Sequence, residues 1–227
     1  MKFIPESLLG PIRARLKKEH THDEGFDRRF GIETGGYLPI IDHEDEADRQ
    51  IRVHDYHGTP IVVLRRLLAR VRKIDPTPRT FIDYGAGLGR CLFLALEEGF
   101  DRAIGIECCD AFLKRGLKNL EKCNLPADQR QRINLLGTDA LDYTPPAGSS
   151  VFFLFNPFDQ DTLSAVMERI HGVHHDHPAP RYLIYYNPWH RELLDQHAGF
   201  ELMEEGSFAR VWKLKRYYPY AIYRVLP

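Results

Sequence analysis

Thr80–Arg90, TFIDYGAGLGR, constrains this chain more than any other stretch: a β-branched and aromatic run ends in an acid, then in three glycines at alternating positions. A strand that ends in a glycine-rich turn and opens a helix brings backbone N–H groups and a positive helix terminus close to a ligand. Glycine removes the Cβ atoms that would block that approach. The stretch therefore marks a nucleotide-like site, or else a structural turn with no ligand. It is not the dinucleotide fingerprint Gly-x-Gly-x-x-Gly, because in Gly85, Gly87 and Gly89 the third glycine arrives one residue early. It is not a Walker loop either, having no Gly-Lys-Ser/Thr.

Downstream of the loop, strand and helix keep alternating. Short apolar runs at Phe81–Asp83, Ala103–Glu107, Ile133–Leu136, Val151–Phe155 and Tyr182–Tyr186 read as strands, with helices starting near Arg90, Asp110 and Asp161. The tail from Phe200 has no helical period and reads as two further strands, an antiparallel hairpin at one edge. The fold class expected is α/β: a doubly wound, mostly parallel seven-stranded sheet with an antiparallel C-terminal hairpin and a helical and loop N-terminal arm. Upstream, TPIVVLRRLLARVRKI places Val62, Leu64, Leu67, Leu68 and Val71 near helical spacing, with Thr59 able to cap the helix and Pro60 suited to its first turn. At 227 residues and 43% apolar, one main α/β domain is the simplest reading. The boundaries expected are 1–54 for a polar arm or lid and 55–227 for the ligand-binding domain.

Charge and cysteines narrow the setting. Lys plus Arg total 31 against 32 Asp plus Glu, a net charge of −1, which gives no global argument for nucleic acid or an anionic membrane surface. Cys91, Cys108, Cys109 and Cys123 sit in or beside the predicted core, and the chain shows no apolar signal segment at its start and no membrane-length apolar run. Reduced thiols and a cytoplasmic location are the expectation.

Asp83-Tyr84-Gly85-Ala86-Gly87-Leu88-Gly89 resembles the first motif of the class I, seven-strand S-adenosylmethionine-dependent methyltransferases. The resemblance implies that Gly85, Ala86, Gly87, Gly89 and Arg90 pass under the methionine part of the cofactor, with Asp83 near its ammonium group. It implies that Glu107, ending the second strand, accepts from the ribose hydroxyls, a task suited to an acceptor-only carboxylate. Asp139, with Ala140 beside it, would lie at the adenine. Singly, each acid also reads as a helix N-cap or a solvated turn.

Asn156-Pro157-Phe158 ends the fourth strand and is similar to the Asn/Asp-Pro-Pro-Tyr/Phe motif of methyltransferases acting on amino or amide nitrogen, without the second proline. There the Asn156 side-chain carbonyl and the Pro157 carbonyl accept the hydrogens of an NH2 group, and Phe158 stacks on a flat substrate or supports the cation. An Asn-Pro turn with no catalytic role is the other reading. Tyr56 and Thr59 reproduce the Tyr-x-x-Thr spacing of the loop over the cofactor in non-SET histone lysine methyltransferases. The resemblance covers roughly residues 55 to 160 and implies N-methylation of a protein or peptide amine or amide, with S-adenosylhomocysteine as product, no resident metal and no membrane.

Rival readings are a nucleic-acid amino methyltransferase of adenine type, a small-molecule methyltransferase, and a non-catalytic nucleotide-binding module. His171, His174, His175, Asp176 and His177 read as a surface loop, or as an adventitious metal site. Tyr186, Asn187, Trp189 and His190 read as core and rim, or as an acceptor pocket wall. Arg210, Lys213, Lys215 and Arg216 read as the solvated face of a strand rather than a nucleic-acid surface.

Overall fold

The computed structural model describes residues 24–38, 55–209 and 216–227. A helical stretch, α1 (24–30), precedes β1 (Tyr37–Leu38) and β2 (Tyr56–His57), which pair antiparallel. Then come α2 (Ile61–Ile74), β3 (Thr80–Tyr84), α3 (Arg90–Glu97), β4 (Arg102–Glu107), α4 (Asp110–Lys122), α5 (Ala127–Arg130) and β5 (Ile133–Gly137). The chain ends with β6 (Ser150–Phe155), α6 (Gln160–Asp176), β7 (Arg181–Tyr186), α7 (Arg191–Gln196), β8 (Phe200–Ala209) and β9 (Arg216–Val225).

The sheet order is β5-β4-β3-β6-β7-β9-β8. β5 through β7 pair in parallel, and β9 inserts antiparallel between β7 and β8, which makes the expected C-terminal hairpin at one edge. β3 leads outward to β4 and β5, whereas β6 starts the other half on the opposite side of β3. The β3/β6 boundary is thus a topological switch point, where open α/β sheets leave a crevice at the carboxyl ends of their strands.

Both faces are covered, so the central strands are apolar throughout instead of alternating with polar residues. Phe81, Phe153, Tyr182, Ile184 and Ile222 pack with α2 and α3. Ile82, Phe152, Leu154, Leu183 and Tyr223 pack with α6. In α2 the buried stripe is Ile61, Val63, Leu64, Leu67, Leu68 and Val71, while Val62 is exposed. Val63 and not Val62 joins the face because the i, i+4 rows run 63-67-71 and 64-68. Thr59 does not cap this helix: Pro60 holds the N-cap position without a side-chain bond, and the Thr59 hydroxyl hydrogen-bonds Cys91 instead.

The histidine run is not a surface loop. α6 continues through Asp176, and His174 is buried with its Nδ1 3.2 Å from Nη1 of the fully buried Arg181, which also donates to the His177 carbonyl. Of the C-terminal basic residues, 210–215 lie outside the described residues, and Arg216 begins β9. No described helix is long and apolar enough to cross a membrane. Cys91, Cys109 and Cys123 are buried, Cys108 is half-buried, and none of the four is in a disulfide.

The described part of the N-terminal arm is docked on the sheet. Phe26 and Ile32 join the core of the α2/α3 face. Asn119 on α4 accepts from the Glu33 N–H and donates to the Glu33 and Leu88 carbonyls. The buried Arg90, first residue of α3, donates through Nε to Thr34 Oγ1 (2.8 Å) and lies 3.7 Å from Asp27, whose carboxylate also takes the Thr34 and Gly35 N–H groups. Asp27 therefore compensates an almost fully buried guanidinium. Removing one partner of such a pair leaves an uncompensated buried charge. Asp27→Ala should lower the unfolding free energy by about 3 kcal/mol in urea denaturation, and a midpoint equal to that of the parent chain would show that the pair does not secure the arm.

Candidate active site

One cleft opens at the switch point, and it gathers residues from five segments. Of the residues the sequence singles out, Tyr56, Thr59, Asp83, Gly85, Ala86, Gly87, Arg90, Glu107, Ala140, Asn156, Pro157 and Phe158 line it. Gly89 stands behind the wall as the left-handed N-cap of α3. Asp139 also stands outside the lining: its Oδ1 accepts the Leu141 N–H in a local turn, and its neighbours Thr138 and Ala140 face the cleft.

The glycine loop differs from a phosphate cradle. Gly85 and Ala86 donate their N–H groups to the Ile106 carbonyl, Gly87 donates to Glu107 Oε2 (2.7 Å), and Gly89 donates to the Ala86 carbonyl. Glu107 Oε1 accepts from Cys109 N (2.8 Å), so the acid at the end of β4 holds the loop in place from beneath. The amides that would bind an anion are thus engaged within the protein, and the acids around them would repel one. Close approach is what the glycines provide here. Gly87 has φ +55°, and a Cβ on it would fall 2.5 Å from the ring of Tyr56. That ring packs on Phe112, and its hydroxyl donates to the Thr34 carbonyl.

Asp83 is buried beneath this loop. Burial drives its carboxyl up to about 8; the hydrogen bond to Cys91 pulls it back, and the Glu107 charge adds to the rise. Burial also raises the Cys91 thiol well above its ordinary value, aided by the Asp83 charge. At neutral pH the carboxyl is thus held largely protonated, and a cation beside it would favour its ionised form. An ammonium group is the complement that these residues fit.

On the other side of the switch point, Asn156 adopts φ +45°, a left-handed conformation that asparagine tolerates, at the end of β6. Its Oδ1 accepts from the Tyr185 hydroxyl (3.1 Å), which lies 3.5 Å from the His190 backbone N–H. The sequence does not single out Tyr185; burial pushes its hydroxyl up to about 12, so it stays a donor. Phe158 packs edge-on to Tyr84. Among the residues considered for an acceptor wall, Tyr186 is buried against Phe155, whereas Trp189 is 71% exposed with its indole N–H on Asn187 Oδ1. Asp55, His57 and Phe155 line the mouth and carried no sequence signal.

At the opposite end of α6, donor atoms of Glu168, His171 and His197 lie within 4.8 Å of one another. The Gly199 N–H donates to His197 Nδ1, so Nε2 carries the ring proton and donates to Glu168 (3.1 Å). The Glu168–His197 bond ties α6 to the segment before β8, and the His171 ring packs edge-on to that of His197.

No protein-family profile matches the chain, and no curated protein matches it. Solved structures do. The glycopeptide N-methyltransferase MtfA, in complex with S-adenosylhomocysteine, aligns over 85% of this chain and 100% of its own, with a TM-score of 0.56 at 16% identity. The fold is that of the S-adenosylmethionine-dependent methyltransferases. The methyltransferase domain of bacterial CtHen1 aligns over 74% of this chain and 98% of its own (TM-score 0.55, 14% identity). Magnesium protoporphyrin IX methyltransferase from Synechocystis PCC 6803, solved with bound S-adenosylmethionine, aligns over 73% and 79% (TM-score 0.52, 12% identity).

The Asp83 environment has a testable sign. The unfolded chain loses the carboxyl proton near pH 3.8, whereas the fold retains it up to about pH 8. Between those values the folded state binds more protons, so Asp83 costs stability increasingly as pH rises. Asp83→Asn, which cannot ionise, should gain stability relative to the parent chain as pH goes from about 5 to about 8. A difference in urea midpoints that stays flat with pH would mean that the folded carboxyl is already ionised.

Proposed function

We propose that the chain is an S-adenosylmethionine-dependent methyltransferase that methylates a nitrogen on a protein or peptide side chain. The observation that carries this reading is the convergence, in one cleft, of the buried Asp83 carboxyl and Glu107 on adjacent strand ends with Asn156-Pro157-Phe158 across the switch point. In support, the fold neighbours include proteins solved with S-adenosylmethionine and S-adenosylhomocysteine. The Tyr56/Thr59 spacing shared with non-SET histone lysine methyltransferases is the feature that favours a lysine-like amine.

The bound cofactor supplies an electrophilic methyl group on a sulfonium. Toward it, Asp83 would offer a carboxylate for the ammonium group, Glu107 the remaining lone pairs of its two oxygens for the ribose hydroxyls, and Ala140, with Thr138, the adenine end, which Asp139 flanks from outside the lining. Gly85, Ala86 and Gly87 would supply the loop beneath, with Gly89 and Arg90 opening the helix behind it, Tyr56 packed over Gly87 and Thr59 in the cleft wall. Asn156 positions the acceptor. Its carbonyl oxygen already takes the Tyr185 hydroxyl, which fixes the amide plane and leaves a second lone pair for an acceptor N–H. The Pro157 carbonyl accepts a second N–H, and Phe158 gives a flat wall. A lysine ammonium must first lose a proton to water, a loss that desolvation in the cleft favours; its lone pair would then form the N–C bond as the S–CH3 bond breaks and S-adenosylhomocysteine leaves.

Two measurements test the assignment. If Asp83 gives up its proton to receive an ammonium, calorimetric titration with S-adenosylhomocysteine at about pH 6.5 in buffers of different ionisation enthalpy should report release of roughly 0.9 proton, and Asp83→Asn should abolish it. Binding without release removes Asp83 from the role. Asn156→Ala should keep S-adenosylhomocysteine affinity within about twofold while losing about a hundredfold in methyl transfer from radiolabelled cofactor to an amine acceptor, and Tyr185→Phe should lose about fivefold. Undiminished transfer by Asn156→Ala would take that residue out of the mechanism.

A further inference from the structure

Three carboxylates line the cleft, and the cofactor reading uses two of them. Among the described lining residues, Asp55, Asp83 and Glu107 are acids and Arg90 is the only guanidinium, turned away into Asp27 and Thr34. Asp55 stands apart from the other two acids. It lies immediately before β2, at the mouth, where its carboxylate takes a hydrogen bond from the Tyr37 hydroxyl of the paired strand.

The mouth beside it is walled with rings. His57 stands edge-on to Phe155 (centroids 6.2 Å apart), and Phe155 packs on Tyr186 (4.7 Å) and Tyr218 (5.8 Å). Tyr37 closes against His57 (6.4 Å). Tyr218 and Tyr37 are 47% and 56% exposed, so this wall faces solvent instead of completing the core. Phe155 directly precedes Asn156, which puts the wall on the acceptor side. Faces of aromatic rings carry negative potential, and a carboxylate offers several lone pairs on two oxygens. Together they attract a compact cation and disfavour a phosphate backbone.

We infer that the mouth formed by Asp55, His57 and Phe155, with Tyr218 packed against Phe155 at its edge, is a recognition subsite for an alkylammonium group, so that the acceptor arrives as a cation and not as a neutral amide or a nucleobase. This rests on the methyltransferase reading for its assignment of the mouth to the acceptor. Asp55 is a specificity residue: it draws the charged amine to the rim of the cleft, and transfer to Asn156 then places the nitrogen.

Benzylammonium, benzyl alcohol and a short oligothymidylate serve as probes, titrated by NMR into the full chain, free and saturated with S-adenosylhomocysteine. Benzylammonium should bind about tenfold more tightly than the neutral alcohol. Asp55→Asn should reduce that preference to about twofold, Tyr218→Leu should weaken benzylammonium about threefold, and both variants should keep parent affinity for S-adenosylhomocysteine. Equal binding of amine and alcohol, absence of any benzylammonium binding, a preference that survives Asp55→Asn, or saturable binding of the oligothymidylate at this mouth would each overturn the inference. Failure of S-adenosylhomocysteine to bind, with the ammonium preference intact, would count against the cofactor reading and leave the ammonium subsite standing.

Discussion

The site depends on the register of three parallel strands. β3 pairs residue for residue with β4 and with β6, so that Asp83 lies opposite Gly105 on one side and Phe153 on the other. Glu107 then ends its strand two residues beyond that level, and Asn156 lies three residues beyond it. A one-residue slip on either side would turn the acid or the amide to the other face of the sheet. Burial on both faces, by α2 and α3 on one side and α6 on the other, makes such a slip costly along the whole length of each strand. The geometry of the cleft is thus set by the packing of residues that have no chemistry of their own.

That geometry makes an electrostatic environment unlike a nucleotide-phosphate pocket. The loop amides are turned inward to Ile106 and Glu107, and the acid beneath them is held largely protonated by burial at neutral pH. Such a carboxyl favours its ionised form only where a positive charge offsets its burial. The same loop sequence with its amides free would favour the opposite charge, so the direction in which Gly85, Ala86 and Gly87 donate determines the ligand class as much as the glycines themselves do.

Much of this was legible in the sequence, and the limits have physical causes. The strands stand out because two-sided burial turns each into a continuous apolar run, and the acids stand out because each closes such a run. The order of strands in the sheet was not legible, because the alternation of elements and the right-handed crossover rule narrow the possible orders without selecting one. The long-range pairing was not legible. Arg90 is polar in a helix start and gives no hint of Thr34 or Asp27, 56 and 63 positions away; Asn119 gives none of Glu33. Tyr185 reads as one more aromatic of a buried strand until β7 lies beside β6 and brings its hydroxyl to Asn156. The histidine run misleads for a related reason: Arg181 buries His174 from the next strand, and α6 extends to accommodate it. Asp55 and His57 belong to a strand start too short to carry any periodicity.

The tie at Arg90 also bears on how a ligand comes and goes. Tyr56 covers Gly87 and hangs from Thr34, Thr34 is held by Asp27 and Arg90, and Arg90 is the first residue of the helix that the glycine loop opens. The roof and the floor of the cleft are therefore anchored to one buried polar cluster. Swinging the roof away would expose that guanidinium and carboxylate pair to rupture, at the cost typical of a broken buried ion pair. His57 and Phe155, on the opposite rim, take no part in this cluster, so a ligand passing them would break none of its bonds.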